Sequence, residues 1–166
     1  MTSEIISFRA MTLTDADEIL DIINYYIANS TSYFSEAPLE KSSISEMLNE
    51  KSMLPRYVVL SGNELIGFGY AYNLRPESTF SQTAKLTYWL KDGYTRKGIG
   101  SQLYNILESE LRSLKISNIL VNISSENTAS LNFHKALGYK ECGNFEKIGC
   151  KNGRYFDLVW MQKVLN

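Results

Sequence analysis

The sequence predicts a mixed α/β domain, and three observations carry that class. The hydrophobic period switches repeatedly between the alternation of strands and the three-to-four-residue spacing of helices. The run over 118–123, N-I-L-V-N-I, is nearly continuous in apolar residues, as expected of a strand covered on both faces. The length of 166 residues, at 44% hydrophobic and 21% charged, suits one ordinary globular core. No repeat, low-complexity tract or linker marks a second domain, so a single domain over residues 1–166 is expected.

The elements follow in order. Ile5, Ser7 and Arg9 alternate with Ile6 and Phe8 in a short opening strand. Thr14 reads as the N-cap of a helix over 15–28, with Asp15, Asp17 and Glu18 in its first turn. Its apolar positions are Ala16, Ile19, Leu20, Ile23, Tyr26 and Ile27. A shorter helix fits 40–51, with Ile44, Met47 and Leu48 on one face and Pro55 beyond its end. Strands at 57–60 and 65–72 flank the turn S-G-N-E and read as a hairpin. Gly67 and Gly69 inside the second strand signal a bulge or a close backbone approach. A strand over 85–90 comes next, then a glycine loop and a helix over 98–114. That helix carries Ile99, Leu103, Ile106, Leu107, Leu111 and Leu114 on one face. The strand over 118–123 leads to a helix of about ten residues stopped by Gly138. Strands over 139–148 and 154–164, joined by C-K-N-G, close the order β-α-α-β-β-β-α-β-α-β-β.

Composition narrows the function. A net charge of −1 gives no global basic field for nucleic acid. No apolar run approaches the roughly 20 residues of a membrane span. The start M-T-S-E-I-I-S-F-R lacks the apolar core of a secretory signal, so a cytoplasmic location is expected. Cys142 and Cys150 read as reduced structural thiols, and with His134 the only histidine no metal site is expected.

The chemistry gathers at 88–101, Y-W-L-K-D-G-Y-T-R-K-G-I-G-S. A strand ends in a basic, glycine-bearing loop that opens directly into a helix. A helix start exposes unpaired N–H groups under the positive end of the helix dipole, where an anion, most often a phosphate, binds. Gly98 and Gly100 let backbone approach such an anion closely, and Arg96 and Lys97 add charge. The loop is neither a triphosphate P-loop, which needs G-x-x-x-x-G-K-[ST], nor a G-x-G-x-x-G dinucleotide fingerprint. A pyrophosphate cradle of another kind and a plain tight turn both stay open on these residues alone. Farther on, Asn127, Ser130 and His134 share one helix face, while Ala129, Phe133, Ala136 and Leu137 form an apolar stripe on another. The polar face either lines a cleft or meets water, with Asn127 as a cap and His134 at the surface.

Together, the R-K-G-I-G-S loop and S-E-N-T-A-S-L-N-F-H-K-A-L-G-Y resemble the GNAT superfamily of N-acetyltransferases. Members carry a Q/R-x-x-G-x-G/A loop, then a second helix that opens near an asparagine and ends in leucine, glycine and an aromatic. The ending G-C-K-N-G-R-Y-F-D-L-V-W-M-Q, the early S-T-S-Y-F and the loop Y-A-Y-N-L-R are similar to the phosphinothricin and methionine-sulfoximine acetyltransferase branch. The resemblance covers nearly the whole chain.

It implies a mixed, mostly antiparallel twisted sheet flanked by helices. It implies acetyl-CoA as co-substrate and a small amino-acid-like amine as acceptor, with a homodimer as the assembly. Backbone groups of Tyr88, Trp89 and Leu90 would run beside the pantetheine arm. The amides of Arg96, Lys97, Gly98, Ile99, Gly100 and Ser101 would hold the pyrophosphate. Asn127 and Ser130 would serve the cofactor side. His134 stands where many members have tyrosine and this branch often has histidine. The acceptor would lie against Tyr33, Phe34 and Arg75. The Arg75 fork suits a carboxylate, although a solvated loop arginine reads equally well.

Acetyl transfer to an amine needs a neutral amine, a polarised thioester carbonyl and a proton for the departing thiolate. Backbone N–H groups near Leu90 would meet the developing oxyanion, and His134 would deliver or relay the proton. Two positions depart from the pattern. Thr95 stands where the loop motif prefers glutamine or arginine. Lys85 stands where the branch usually has its proposed general base, a glutamate, with Glu77 the nearest acid in sequence. Two further functions therefore stay open: transfer to a peptide N-terminus, polyamine or aminoglycoside, and binding of acetyl-CoA without catalysis.

Overall fold

The computed structural model describes residues 5–49 and 52–165. Among these residues seven strands and four α-helices follow one another in the expected order, with two short 3-10 turns added. They are β1 (Ile6–Ala10), α1 (Ala16–Asn29), α2 (Lys41–Asn49), β2 (Arg56–Ser61), β3 (Glu64–Asn73), β4 (Thr83–Leu90), α3 (Ile99–Ser113), β5 (Asn118–Ser124), α4 (Thr128–Ala136), β6 (Lys140–Lys151) and β7 (Arg154–Val164). The end expected for α2 at Lys51 lies outside the described residues. The chain forms two compact units, and β4 contributes to both.

The first unit comprises the described parts of Met1–Ile23, Leu39–Tyr72 and Leu86–Lys115. Its strands run in the hydrogen-bonded order β1-β2-β3-β4. The β1–β2 and β2–β3 pairs are antiparallel. Ile19, Val58, Val59, Phe68, Leu103, Leu107 and Leu111 are fully buried. The α1 start differs from the expected one. A 3-10 turn over Leu13–Asp15 precedes the helix, and Thr12, not Thr14, is its N-cap. Asp15 is buried because its carboxylate accepts from the Thr12 amide at 2.7 Å and from both Nη atoms of Arg9 at 2.6 and 2.9 Å. Two partners of opposite polarity make that burial tolerable.

Both meanings of the β3 glycines are realised in this unit. The β2–β3 register shifts between Val59 and Leu60, opposite Gly67, which is a bulge. A Cβ at Gly67 would lie 2.7 Å from the Trp89 carbonyl oxygen, and one at Gly69 would lie 2.9 Å from Tyr88 Cβ. The close backbone approach is therefore β4 itself, over the residues singled out for the pantetheine arm.

The second unit comprises the described parts of Asn24–Pro38, Asn73–Lys85 and Ile116–Asn166. Its strands run β4-β5-β7-β6. Thr83–Lys85 of β4 pairs with Asn118–Leu120 of β5 in parallel. The β5–β7 and β6–β7 pairs are antiparallel. Ile119 and Met161 are fully buried. The β6–β7 connection is the two-residue turn Asn152–Gly153, both in the left-handed region at φ +49° and +77°, as such hairpins require.

No described helix is long and apolar enough to cross a membrane.

Candidate active site

The loop before α3 in the first unit places two left-handed residues at the helix start, where an anion cradle was expected. Arg96 (φ +59°) and Gly98 (φ +78°) are left-handed, and Gly98 is the N-cap of α3. Such turns direct successive amides to one side and form a concave nest for an anion. No side chain caps the helix, and no acid stands in its first turn. The first N–H groups of α3 thus have no carboxylate or hydroxyl of their own to satisfy them. A Cβ at Gly98 would meet nothing within 4 Å, so the cradle is open at that point. Arg96, Lys97 and Gly98 are exposed, and Lys97 Nζ stands 5.2 Å from the Tyr94 ring centroid. Ile99 turns inward and is buried, while Gly100 and Ser101 are half-buried. Tyr88, Trp89 and Leu90 are half-buried at the end of β4, with the Tyr88 ring edge-on to Tyr104 at 6.3 Å.

The second unit carries the α4 residues. Asn127 caps α4: its Oδ1 accepts from the Ser130 amide at 3.1 Å. Its Nδ2 donates to Ser32 Oγ at 2.9 Å. Beside it, Ser124 Oγ donates to Thr31 Oγ1 at 3.1 Å. The segment after α1 is thereby tied to the start of α4.

His134 is buried at 3% exposure, not at the surface. Its ring lies edge-on to Tyr139 at 5.0 Å and to Phe133 at 5.6 Å. Nδ1 sits 2.8 Å from the Ser130 carbonyl oxygen. A carbonyl only accepts, so Nδ1 carries the hydrogen and Nε2 is the basic atom. Burial pushes the pKa of the imidazole down to about 4, with the Ser130 carbonyl partly offsetting it. At pH 7 only about one molecule in a thousand carries the imidazolium. The expected proton donor is thus held neutral. On α4 His134 is buried, Asn127, Ser130, Phe133 and Leu137 are half-buried, and Ala129 and Ala136 of the expected apolar stripe are exposed.

Tyr33, Phe34 and Arg75, expected on the acceptor side, also lie in the second unit. The Tyr33 carbonyl accepts from Lys151 Nζ at 2.8 Å. The Phe34 ring stacks on Phe156 at 5.8 Å. Arg75 is exposed and its fork is engaged: Nε and Nη2 donate to the two oxygens of Glu77 at 3.1 and 2.8 Å. That pairing lowers the Glu77 pKa and keeps the carboxyl ionised. Lys85, at the position expected of a base, holds its Nζ 4.9 Å from the Trp160 ring centroid. An open polar cavity of about 590 Å³ lies beside Ser30–Ser32 and the start of α4, lined also by Lys151, Asn152 and Arg154 around the β6–β7 turn. Among the described residues no group of three His, Cys, Asp or Glu side chains is arranged to hold a metal ion.

A model of the acetyltransferase (GNAT) domain matches residues 8–160 of the chain. The chain belongs to that family. It is 26% identical, over 96% of its length and 95% of the relative's, to an L-methionine sulfoximine/L-methionine sulfone acetyltransferase of Pseudomonas aeruginosa. It is 28% identical to a phosphinothricin N-acetyltransferase of Alcaligenes faecalis, over 95% of this chain and 82% of the relative. A phosphinothricin acetyltransferase from Sinorhizobium meliloti, solved in complex with AcCoA, superposes with a TM-score of 0.92 at 23% identity. That superposition covers 97% of this chain and 89% of the other.

The family supplies the activity class: this GNAT protein is an N-acetyltransferase. Sequence reasoning missed several residues around its polar cavity. Lys151 read as a turn residue, yet it is buried at 4% exposure with Nζ donating to the Ser30 and Tyr33 carbonyls at 2.7 and 2.8 Å. Arg154 pairs with Glu126 at 2.7 Å, and the Asn152 amide donates to Glu36 at 2.7 Å. The only local signal was a lysine beside an Asn-Gly turn, and lysines are almost never fully buried.

Proposed function

We propose that this acetyltransferase takes acetyl-CoA as donor and a small amino-acid-like amine as acceptor. The observation that carries the reading is the start of α3. It has no side-chain cap, it follows two left-handed residues, and no acid lies in its first turn. A pyrophosphate is the ligand that such a cradle suits. The names of the relatives that match along nearly the whole chain support the acceptor class.

In this reading the amides from Arg96 to Ser101 hold the pyrophosphate. The backbone of Tyr88, Trp89 and Leu90 lines the pantetheine arm. Asn127 and Ser130 supply polar partners from the first turn of α4. Tyr33, Phe34 and Arg75 stand on the acceptor side, Arg75 with Glu77 already in its fork. The amine nitrogen bonds to the acetyl carbonyl carbon as the carbon–sulfur bond breaks. The amine then sheds a proton, and the thiolate gains one. Much of the rate comes from holding the two reactants together. His134 takes the amine's proton through Nε2 rather than giving one to the thiolate, because its Nδ1–H is fixed on Ser130 and its ring is neutral. Water then protonates the thiolate, and the hydroxide left behind takes the proton from the His134 imidazolium, which returns to its neutral form.

We assign residues 1–166 to one acetyltransferase domain, supported by a family match that runs through both compact units. The protein works in the cytoplasm as a homodimer on a small molecule, without nucleic acid or membrane. The two exposed free thiols suit a reducing compartment.

Thiol release from acetyl-CoA, measured against a panel of amino acids, their sulfoximine and sulfone derivatives, polyamines and an N-terminal peptide, is the test. Turnover confined to the amino-acid-like amines is the expected result. Turnover confined to peptides or polyamines removes the acceptor reading. No turnover with intact acetyl-CoA binding removes catalysis.

A further inference from the structure

Lys151 poses a charge problem that the proposed reaction does not use. Its ammonium is buried, and both of its hydrogen bonds go to neutral carbonyls, Ser30 and Tyr33. An ammonium has three donors. Among the described residues no carboxylate lies within ion-pair distance of it. Glu36, the acid whose charge acts on it, is exposed and accepts from the Asn152 amide instead. A buried cation balanced only by dipoles is costly, and an anion beside it lowers that cost.

The surroundings supply the place. Lys151 lines the cavity of about 590 Å³, within the size range of small-ligand sites. Ser30, Ser32, Asn127 and Arg154 line it as well. Arg154 is largely exposed and its partner Glu126 also lines the cavity, so the wall carries two cations to one acid. Hydroxyl and amide groups add donors without adding negative charge. Arg75, the expected carboxylate partner, already holds Glu77.

We infer that this cavity is a carboxylate site, with Lys151 as its buried cation, and that it receives the acid group of the acceptor. The identity of the carboxylate rests on the acceptor reading above. The site itself rests on the buried ammonium and the cavity. Lys151 then does two things at once. It fixes the carbonyls at both ends of the 30–33 segment, and it turns the wall that this segment forms into a selective one.

The test compares acids with their methyl esters. Calorimetry is run on the wild-type protein with the twenty L-amino acids, L-methionine sulfone and phosphinothricin, each against its carboxyl methyl ester. At least one acid should bind tenfold or more tightly than its ester, the scale of a charge-assisted hydrogen bond. Lys151→Met should remove that preference, and Lys151→Arg should keep part of it. If Lys151→Met does not fold, Arg154→Gln reads the same wall and should reduce the preference severalfold. Equal binding of acids and esters, no binding of any acid, or a preference that survives both Lys151→Met and Arg154→Gln overturns the site. Acetyl transfer to the same panel separates the two proposals. Acids that bind through Lys151 but are not acetylated leave the site standing and remove the acceptor reading. Esters acetylated as well as acids do the reverse.

Discussion

Asn127 donates from Nδ2 to Ser32 Oγ at 2.9 Å, across 95 residues of sequence. The same side chain caps α4 through Oδ1. One amide therefore orders a helix start and the segment after α1. Asn127→Ala should lose both bonds and cost about 1–3 kcal/mol, as a cap plus one tertiary hydrogen bond. Asn127→Asp keeps the cap acceptor and loses the donor, so its melting temperature should fall between wild type and alanine. Equal melting of the two variants would mean that the Ser32 bond contributes nothing.

His134 makes stability depend on acid. Its pKa is about 4 when folded and near 6.5 when unfolded. Between those values the unfolded chain binds the proton more readily, so stability rises with pH through that window. On acidification from about pH 6.5 to pH 4, roughly 3 kcal/mol of stability should be lost to this residue. Denaturant midpoints taken across the window should show the slope, and His134→Gln should flatten it. The same variant tests the proton role. Turnover per folded molecule should fall about a hundredfold or more with acetyl-CoA affinity intact, and unchanged turnover would leave His134 a structural residue.

The α3 start should be sensitive to charge. Gly100→Glu places a carboxylate in the first turn, where no acid now stands. Like-charge repulsion with the pyrophosphate should weaken acetyl-CoA binding by tenfold or more, read by calorimetry on a variant with a normal circular dichroism spectrum. Unchanged affinity in that folded variant would remove the cradle.

Cys142 and Cys150 are both exposed free thiols. Neither stands near the α3 start or the α4 cap in its hydrogen bonding; Cys142 Sγ reaches the Trp160 carbonyl at 3.4 Å. The double serine variant should keep its turnover and its melting temperature. A loss of turnover in a folded protein would point to an acyl-cysteine route.

The elements were legible because each carries its own periodicity and its own stop. The 3.6-residue spacing from Ile99 to Leu111 and the Asn-Gly turn at 152–153 are local signals, and the structure has α3 and the hairpin there. The glycine loop and the helix it opens were legible for the same reason, since they are contiguous. What failed was any reading that needed knowledge of the facing element. On α4 the sequence left the polar face either lining a cleft or meeting water, and the imidazole is buried against Phe133 and Tyr139 while Ala129 is exposed. A histidine with its Nδ1–H on a carbonyl is apolar enough to pack, and spacing does not show that bond. Lys151 was illegible on the same ground: the Ser30 and Tyr33 carbonyls that accept its ammonium come from about 120 positions earlier. Arg75 shows the converse: its fork, read equally as a carboxylate partner or as a solvated loop arginine, holds Glu77 two residues on.

The two compact units interleave along the chain, with boundaries after Ile23, Pro38, Tyr72, Lys85 and Lys115. Five crossings mean that no single cut yields either unit as a contiguous fragment. A cut at any of these boundaries leaves at least one unit divided between the two fragments. The enzyme is therefore a poor subject for dissection into expressible halves. A split-protein reporter built on it would have to reassemble from fragments that are each incomplete, and a circular permutant opened at the β6–β7 turn would keep every crossing intact.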